Sequence, residues 1–501
     1  MAEEIVFWEN PLFVRFRRSR LRSQQTLPAI LAVVVICGCL MWWSYAADLM
    51  KDGGGFTALL VVQGILLLLI GTNEVAMAVA QSRDSGMLDL HRISPQTSLA
   101  TAVGFVLGAS VREWVLFACT LPFLLYASLA GKPGIDGFVV SLVAMASCAL
   151  LYHSLAAMAG CLSKKPRSAS NWAVGVVVIL ALVGIQTPLG LLTPVPSIAA
   201  AFDPESHFVR ELYFFGGRIP PLVLSLIHQV PLALLMLVAA VRKVRSEYAM
   251  VYSKPTAVVF VGFIAFLALG HGFGHGLEST DLLEKTLPLL GALYGGLLAA
   301  LMLTVAVTPT AGQTANGVRR ARKLGLSSVP VWSDLSVNWA PMWAFTVILA
   351  LCGVFVLACF PAPQGPAPTR ALLGVLVAVA ALGTFACAHQ YFLLRFPKGG
   401  QTYIALFLFL VWVMPVPVGS LAGLTLENTH LALAVMSVSA PVGVYTAVAG
   451  EGASDFGPAT LIAVACSLLT ALLFLGLRVG AEQQVREAAL RQLPETRREE
   501  A

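Results

Sequence analysis

Charge is what this sequence has least of. Only 12% of its 501 residues are Asp, Glu, Lys or Arg, against 58% hydrophobic. A water-soluble chain carries about 25% charged residues, because its surface must stay wet. The shortage excludes an ordinary soluble enzyme. The formal charge of +6 does not indicate a nucleic-acid partner either. The basic residues sit in short clusters between apolar runs, a placement that sets membrane topology.

Other absences narrow the chemistry. There is no G-x-x-x-x-G-K-[ST] phosphate loop: Gly131-Lys132 lacks the upstream glycine and runs into Pro133. Neither a G-x-S-x-G nucleophile motif nor a kinase set occurs. Stretches between apolar runs reach only about 30 residues, too short for a nucleotide-binding domain with its own core of roughly 50–250 residues. The nine cysteines lie in or at the ends of apolar runs and form no CxxC pair, so they read as small apolar fillers. No run contains the several buried acids that a proton- or sodium-coupled carrier uses. No catalytic residue, metal site or resident cofactor is therefore expected.

What is present is apolar length. Runs at 27–47, 56–76, 113–131, 137–161, 171–192, 220–241, 256–270, 286–308, 340–360, 371–394, 402–422 and 458–478 approach the 20 or so residues needed to cross a ~30 Å hydrocarbon core. The expected fold is all-α: a polytopic integral membrane protein of about 12 transmembrane helices in two six-helix halves. The first run follows five arginines and leads into Trp42-Trp43, so it reads as a retained span and not a cleaved signal. With the N-terminus inside, 25 Lys and Arg residues fall on the cytoplasmic side and six outside. That bias places both termini in the cytoplasm and allows only one of 429–450 and 458–478 to cross. The latter is assigned as the span, the former as an outer-face hairpin.

The resulting division is a cytoplasmic elbow (1–26), a first half (27–241), a linker (242–255), a second half (256–478) and a tail (479–501). LLTPVPSIAAAFDP (191–204) and MSVSAPVGVYTAVAG (436–450) precede the last span of each half, a weak repeat of the kind two-half transporters carry.

Four segments are candidates for function. In the elbow, Arg15, Arg17, Arg18, Arg20 and Arg22 interleave with Leu12, Phe13, Phe16 and Leu21. A helix of this composition lies in the headgroup plane with guanidinium groups on phosphates, or serves only as a topology signal. In the connection after the second run, Asp84-Ser85-Gly86 can start a short helix over Met87–Arg92. Ser94-Pro95 stops it, since a residue before proline leaves the α region. Glu74, Arg112 and Glu113 mark span boundaries, where they either pair across helices or snorkel. His271 and His275 stand four apart, but the glycines at 270, 272, 274 and 276 argue against the helix that would align them.

Arg83-Asp84-Ser85-Gly86-Met87-Leu88-Asp89-Leu90, followed by Ile93-Ser94-Pro95, resembles the E-R-E-x-G-T-L-D-L-L-x-x-x-P stretch of ABC-2 type transporter permeases. Asn10-Pro11-Leu12 with its arginines is similar to that family's opening, and Val103-Gly104-Phe105-Val106-Leu107-Gly108 to its x-G-K-x-L-G. Phe105 stands where Lys is usual, Phe16 where Glu is usual, and the 309–338 connection of the second half has no comparable stretch. The resemblance covers about 120 residues. It implies a membrane subunit of an ABC exporter in the plasma (inner) membrane, with ATP and magnesium bound by two copies of a separate ATPase subunit. It further implies that residues 83–93 couple the two, through Arg83, Asp84, Asp89, His91 and Arg92 as polar contacts and Leu88 and Leu90 as apolar anchors. A second permease chain or a homodimer is compatible with it. The alternatives are a membrane-embedded glycan or lipid transferase or polymerase, whose only candidate loop is 193–219 (Asp203, Glu205, His207, Arg210, Glu211), and a secondary carrier.

Overall fold

The computed structural model describes residues 10–163, 165–183, 188–202, 213–276, 282–359, 368–449 and 456–492. The protein is an all-α polytopic membrane protein. Among the described residues, eleven helices are long and apolar enough to cross a bilayer. The chain divides into two compact units, one of residues 1–212 with 218–251, the other of 213–217 with 252–501.

In the first unit, α1 (Pro11–Arg20) precedes α2 (Ser23–Ala46) and the long α3 (Gly54–Asp84). Two short helices follow, α4 (Met87–Ile93) and α5 (Ser98–Gly108). The remaining helices are α6 (Val111–Ala130), α7 (Gly134–Leu162), α8 (Pro166–Val183), α9 (Val195–Phe202) and α10 (Pro221–Arg245). The expected span at 171–192 is shorter than its apolar run. Its helix, α8, has 18 residues, about 27 Å at 1.5 Å per residue, and a 3-10 turn takes up Pro188–Leu192.

The core of this unit is built on small residues. Ala76, Val79 and Ala80 of α3 meet Ala156, Ala157 and Cys161 of α7 in one buried cluster. Gly160 sets the approach: a Cβ there would lie 2.7 Å from Val79 Cβ and 2.8 Å from Ala76 O. Lipid supplies no hydrophobic drive between helices, so close packing of this kind holds membrane bundles together. Gly160→Val is expected to push α3 off α7 and to destabilise the protein by about 1–3 kcal/mol, read as a lowered melting temperature in detergent.

Midway along α3, Gly64–Ile70 is a π-helical segment. Such a segment leaves a carbonyl without its i+4 donor. Leu67 O, within this segment, lies 3.0 Å from His153 Nε2, while His153 Nδ1 lies 3.3 Å from Ser110 Oγ. A carbonyl can only accept, so Nε2 carries the proton. Gly71 makes room for the imidazole, since a Cβ there would be 2.6 Å from Nε2.

The second unit holds α11 (Lys254–Gly276), α12 (Leu282–Val307), α13 (Ala311–Lys323), α14 (Trp339–Cys359) and α15 (Pro368–Arg395). Then come α16 (Gly400–Thr425), the short α17 (Thr429–Met436) and α18 (Ala440–Ala449), and the 36-residue α19 (Phe456–Arg491). Residues 429–449 thus form two helices too short to cross. A second π-helical segment, Phe409–Val413, interrupts α16, and Ser439 Oγ donates to Trp412 O at 2.5 Å. Contrary to the expectation from its glycines, 270–276 is helical. At membrane depth every backbone group must be satisfied internally, and that requirement outweighs the entropy of glycine.

Candidate functional site

Three stretches meet at one end of the first unit: the N-terminus of α1, the α3–α4 connection and α5. Asn10 joins the first to the third. Its Oδ1 accepts from Leu12 N (3.0 Å) and Phe13 N (3.3 Å), which caps α1, and from Gln96 Nε2 (3.0 Å). Its Nδ2 donates to Ala100 O at 2.6 Å. Gly104 and Gly108 give α1 its seat on α5: a Cβ at Gly104 would lie 3.1 Å from Asn10 Oδ1 and from Leu12 Cβ, and one at Gly108 would lie 3.2 Å from the Phe16 ring.

The turn into α4 rests on Gly86, whose φ of +72° is a left-handed conformation that costs other L-residues about 1–2 kcal/mol. A Cβ at Gly86 would meet nothing within 4 Å, so the demand is conformational and not spatial. Ser94, extended at ψ 157° before Pro95, ends the helix.

The seven residues of α4 divide sharply. Leu88 is 2% exposed and belongs to the core cluster with Val79, Ala240 and Val244. Leu90 and Ile93 are 58% and 82% exposed, and Asp84 and Asp89 are exposed beside them. Leu88 is therefore a packing residue and not an anchor for a partner, which corrects the expectation from sequence. Only one face of so short a helix can be outside.

Arg83 and Arg92 are also committed inward. Arg83 Nη1 donates to Cys161 O and Ser163 O, both at 3.0 Å, and its Nη2 donates to Glu247 Oε1 at 2.9 Å. Arg92 Nε donates to Val244 O at 3.0 Å, its Nη2 to Lys243 O at 3.1 Å, and its Nη1 pairs with Asp89. These carbonyls are the C-terminal ends of α7 and α10, where unpaired C=O groups concentrate negative potential and favour a cation. The two guanidinium groups thus latch the α3–α4 segment to the ends of two spanning helices. Arg83 also holds the Glu247 carboxyl below the usual range, first by its hydrogen bond and then by its charge.

His91 lies between α4 and its neighbours, with its ring edge-on to Phe105 at 6.3 Å and Nε2 buried without a partner among the described residues. Burial, and next the charge of Arg15, lower its pKa from 6.5. The sign is that of a base held neutral: the stabilisation is complete above pH 6.5 and is lost as pH falls from there through the lowered value. His91→Phe is expected to flatten the dependence of melting temperature on pH below 6.5, with little change above it.

The boundary residues pair across helices and do not merely snorkel. Glu74 of α3 forms an ion pair with Arg20 at the end of α1 and lies 4.0 Å from Arg112 Nη2. Arg112 binds Glu113 Oε1 through Nη2 (2.8 Å) and Nε (3.0 Å). Two arginines and two glutamates thus form a neutral cluster tying α1 to α3 and α6. Arg20 is the one elbow arginine turned inward. Arg15, Arg17, Arg18 and Arg22 are exposed.

Two buried cations in the second unit escaped the sequence. Arg478 stands where the last apolar run ends, but α19 continues past it, and the residue is 0% exposed. Its guanidinium lies 3.6 Å from the centroid of the Trp339 ring, with Nη1 3.7 Å from Cys387 Sγ and 3.8 Å from Met342 Sδ. Lys254, read as linker, is buried at the start of α11. Its ammonium donates to Ser336 O (2.7 Å), Val337 O (3.0 Å), Val331 O (3.2 Å) and Ser336 Oγ. Each stands at the edge of an apolar run, and that is the signal both shared.

Among the described residues no group of three or more His, Cys, Asp or Glu could hold a metal ion. His271 packs edge-on to Phe214 at 5.5 Å, and the side chain of His275 lies outside the described residues, as do Asp203, Glu205, His207, Arg210 and Glu211. No protein-family model, curated protein or solved structure matches the chain.

Proposed function

We propose that this protein is the membrane subunit of an ATP-binding cassette exporter, supplying the translocation path and taking its energy from a separate ATPase chain. The single observation that supports this most is α4. It is a short helix with Asp89, Leu90 and Ile93 exposed, preceded by exposed Asp84 at the end of α3, and the segment is bound to the end of α7 through Arg83 of α3 and to the end of α10 through Arg92 of α4. A surface loop needs no such attachment. A helix that receives a push does, because force applied to it then reaches spanning helices and is not dissipated in a connection.

In this reading the exposed face is where the ATPase docks. Leu90 and Ile93 offer the apolar contact and Asp84 and Asp89 the charge. Arg83 and Arg92 act behind that face as positioning residues, and Leu88 holds the helix to the core. The chain has no phosphate loop of its own, so hydrolysis belongs to the partner.

The test is a search for a P-loop ATPase encoded beside this chain, followed by co-expression of the two. The two chains are expected to co-purify, and the membrane chain is expected to stimulate the ATPase when both are reconstituted in liposomes. Hydrolysis of ATP by this chain alone, or an ATPase neither retained nor stimulated, contradicts the proposal.

A further inference from the structure

The exposed arginines of α1 are not spread evenly. Arg15 and Arg18, one turn apart, line a cleft of about 440 Å³ together with Arg22, Pro11, Val14 and Ser19. Arg17 is exposed as well but does not line it. Among the described residues no carboxylate pairs with Arg15, Arg18 or Arg22. The nearest use of their donors is a 3.9 Å contact from Arg15 Nη1 to Met87 Sδ. The inward acid of this region, Glu74, is already taken by Arg20. Among the described residues, three guanidinium groups therefore share one concavity with no counter-charge of their own.

A second feature adds to the same potential. Arg22 is the N-cap of the 24-residue α2, and its side chain makes no capping hydrogen bond. The positive end of the helix dipole therefore stands beside the cleft. Beyond that cap the chain is apolar for a bilayer's width, so the cleft lies at the membrane surface and not in bulk water.

We propose that this cleft is a binding site for the phosphate of an anionic phospholipid in the leaflet at which α1 lies. Guanidinium forks match phosphate oxygens bidentately, and the positive end of the helix dipole favours the same anion. Pro11 and Val14 give the glycerol and upper acyl region an apolar wall. The site differs from general attraction between a basic helix and a charged membrane, because it assigns the affinity to three arginines and excludes the fourth. It is independent of any ATPase.

The experiment is native mass spectrometry of the delipidated protein titrated with phosphatidylglycerol. One retained lipid is expected at low lipid excess. Arg15→Gln/Arg18→Gln/Arg22→Gln should weaken it roughly 100-fold, taking about 1 kcal/mol for each arginine at a membrane surface. Arg17→Gln should leave it within about twofold. The triple lysine variant, which keeps the charge and loses the forks, should bind with intermediate strength, and its melting temperature shows that the fold survives. Equal loss in Arg17→Gln would reduce the cleft to a diffuse basic surface and overturn the proposal. So would equal retention of phosphatidylcholine, or displacement of the lipid by millimolar inorganic phosphate, which would make it a free-phosphate site.

Discussion

Arg83→Gln/Arg92→Gln is expected to leave the protein folded and bound to its ATPase, yet to lower stimulation of ATP hydrolysis by roughly tenfold or more. Coupling between two sites amounts to about 1–3 kcal/mol, or 5–150-fold, and the double substitution removes the contacts that would carry it. Each arginine makes three hydrogen bonds, two of them to carbonyls at the end of a spanning helix. A glutamine can reach one carbonyl and brings no charge to the helix terminus. Charged hydrogen bonds contribute about 1.5–3 kcal/mol each when well shielded. These side chains remain about a fifth exposed, so the stability cost should be well below that sum. The signature is a split between retained docking and lost stimulation. Loss of docking in the same variant would place the arginines at the partner surface instead. Arg92→Lys should restore part of the stimulation, because an ammonium still suits a helix C-terminus but lacks the planar fork of the guanidinium group.

The second large effect separates two leucines two positions apart. Leu88→Asp should destabilise the protein by about 3–5 kcal/mol, since it opens a cavity in a packed core and places a carboxylate there. Leu90→Asp should change stability by less than about 0.5 kcal/mol, as an exposed substitution does, while abolishing co-purification with the ATPase. The measurements are the melting temperature in detergent and the amount of ATPase retained on a tagged protein. Had both leucines faced a partner, as the family resemblance implied, both variants would be stable and neither would bind.

That reversal shows what the sequence could and could not disclose. The limits of α4 were legible because they are local: a glycine that must take a positive φ at one end, and a serine forced out of the helix by Pro95 at the other. Most spans were legible because apolar length needs no tertiary information. The facing of Leu88 was not, since a seven-residue helix holds too few turns to establish a periodicity. The tasks of Arg83 and Arg92 were hidden for a different reason. Their acceptors lie 78 and 152 residues away and are backbone carbonyls, which have no identity in the sequence. Basic residues in such a position read equally well as a docking surface.

Arg478 and Lys254 were hidden by bookkeeping of another kind. Counting each Lys and Arg toward one side of the membrane presumes that it lies in water. Arg478 is instead sequestered against Trp339, Cys387 and Met342, and Lys254 against the carbonyls of 331–337. The charge bias survives without them, because both stand on the side with the large excess. Glu74 and Arg112 were read as boundary residues, and the pairing of Glu74 with Arg20 depends on α1 folding back onto α3, which nothing in the local sequence specifies.

The central claim is that the exposed face of α4 lies on the cytoplasmic side and is covered by an ATP-hydrolysing partner. The most direct measurement is labelling of Ile93→Cys with a membrane-impermeant maleimide, compared with the parent protein and its nine native cysteines. The account predicts no added label in intact cells, full labelling after permeabilisation, and protection once the ATPase is bound. Labelling in intact cells would put α4 on the wrong side of the membrane, and equal labelling with and without the ATPase would leave the helix with no partner to couple.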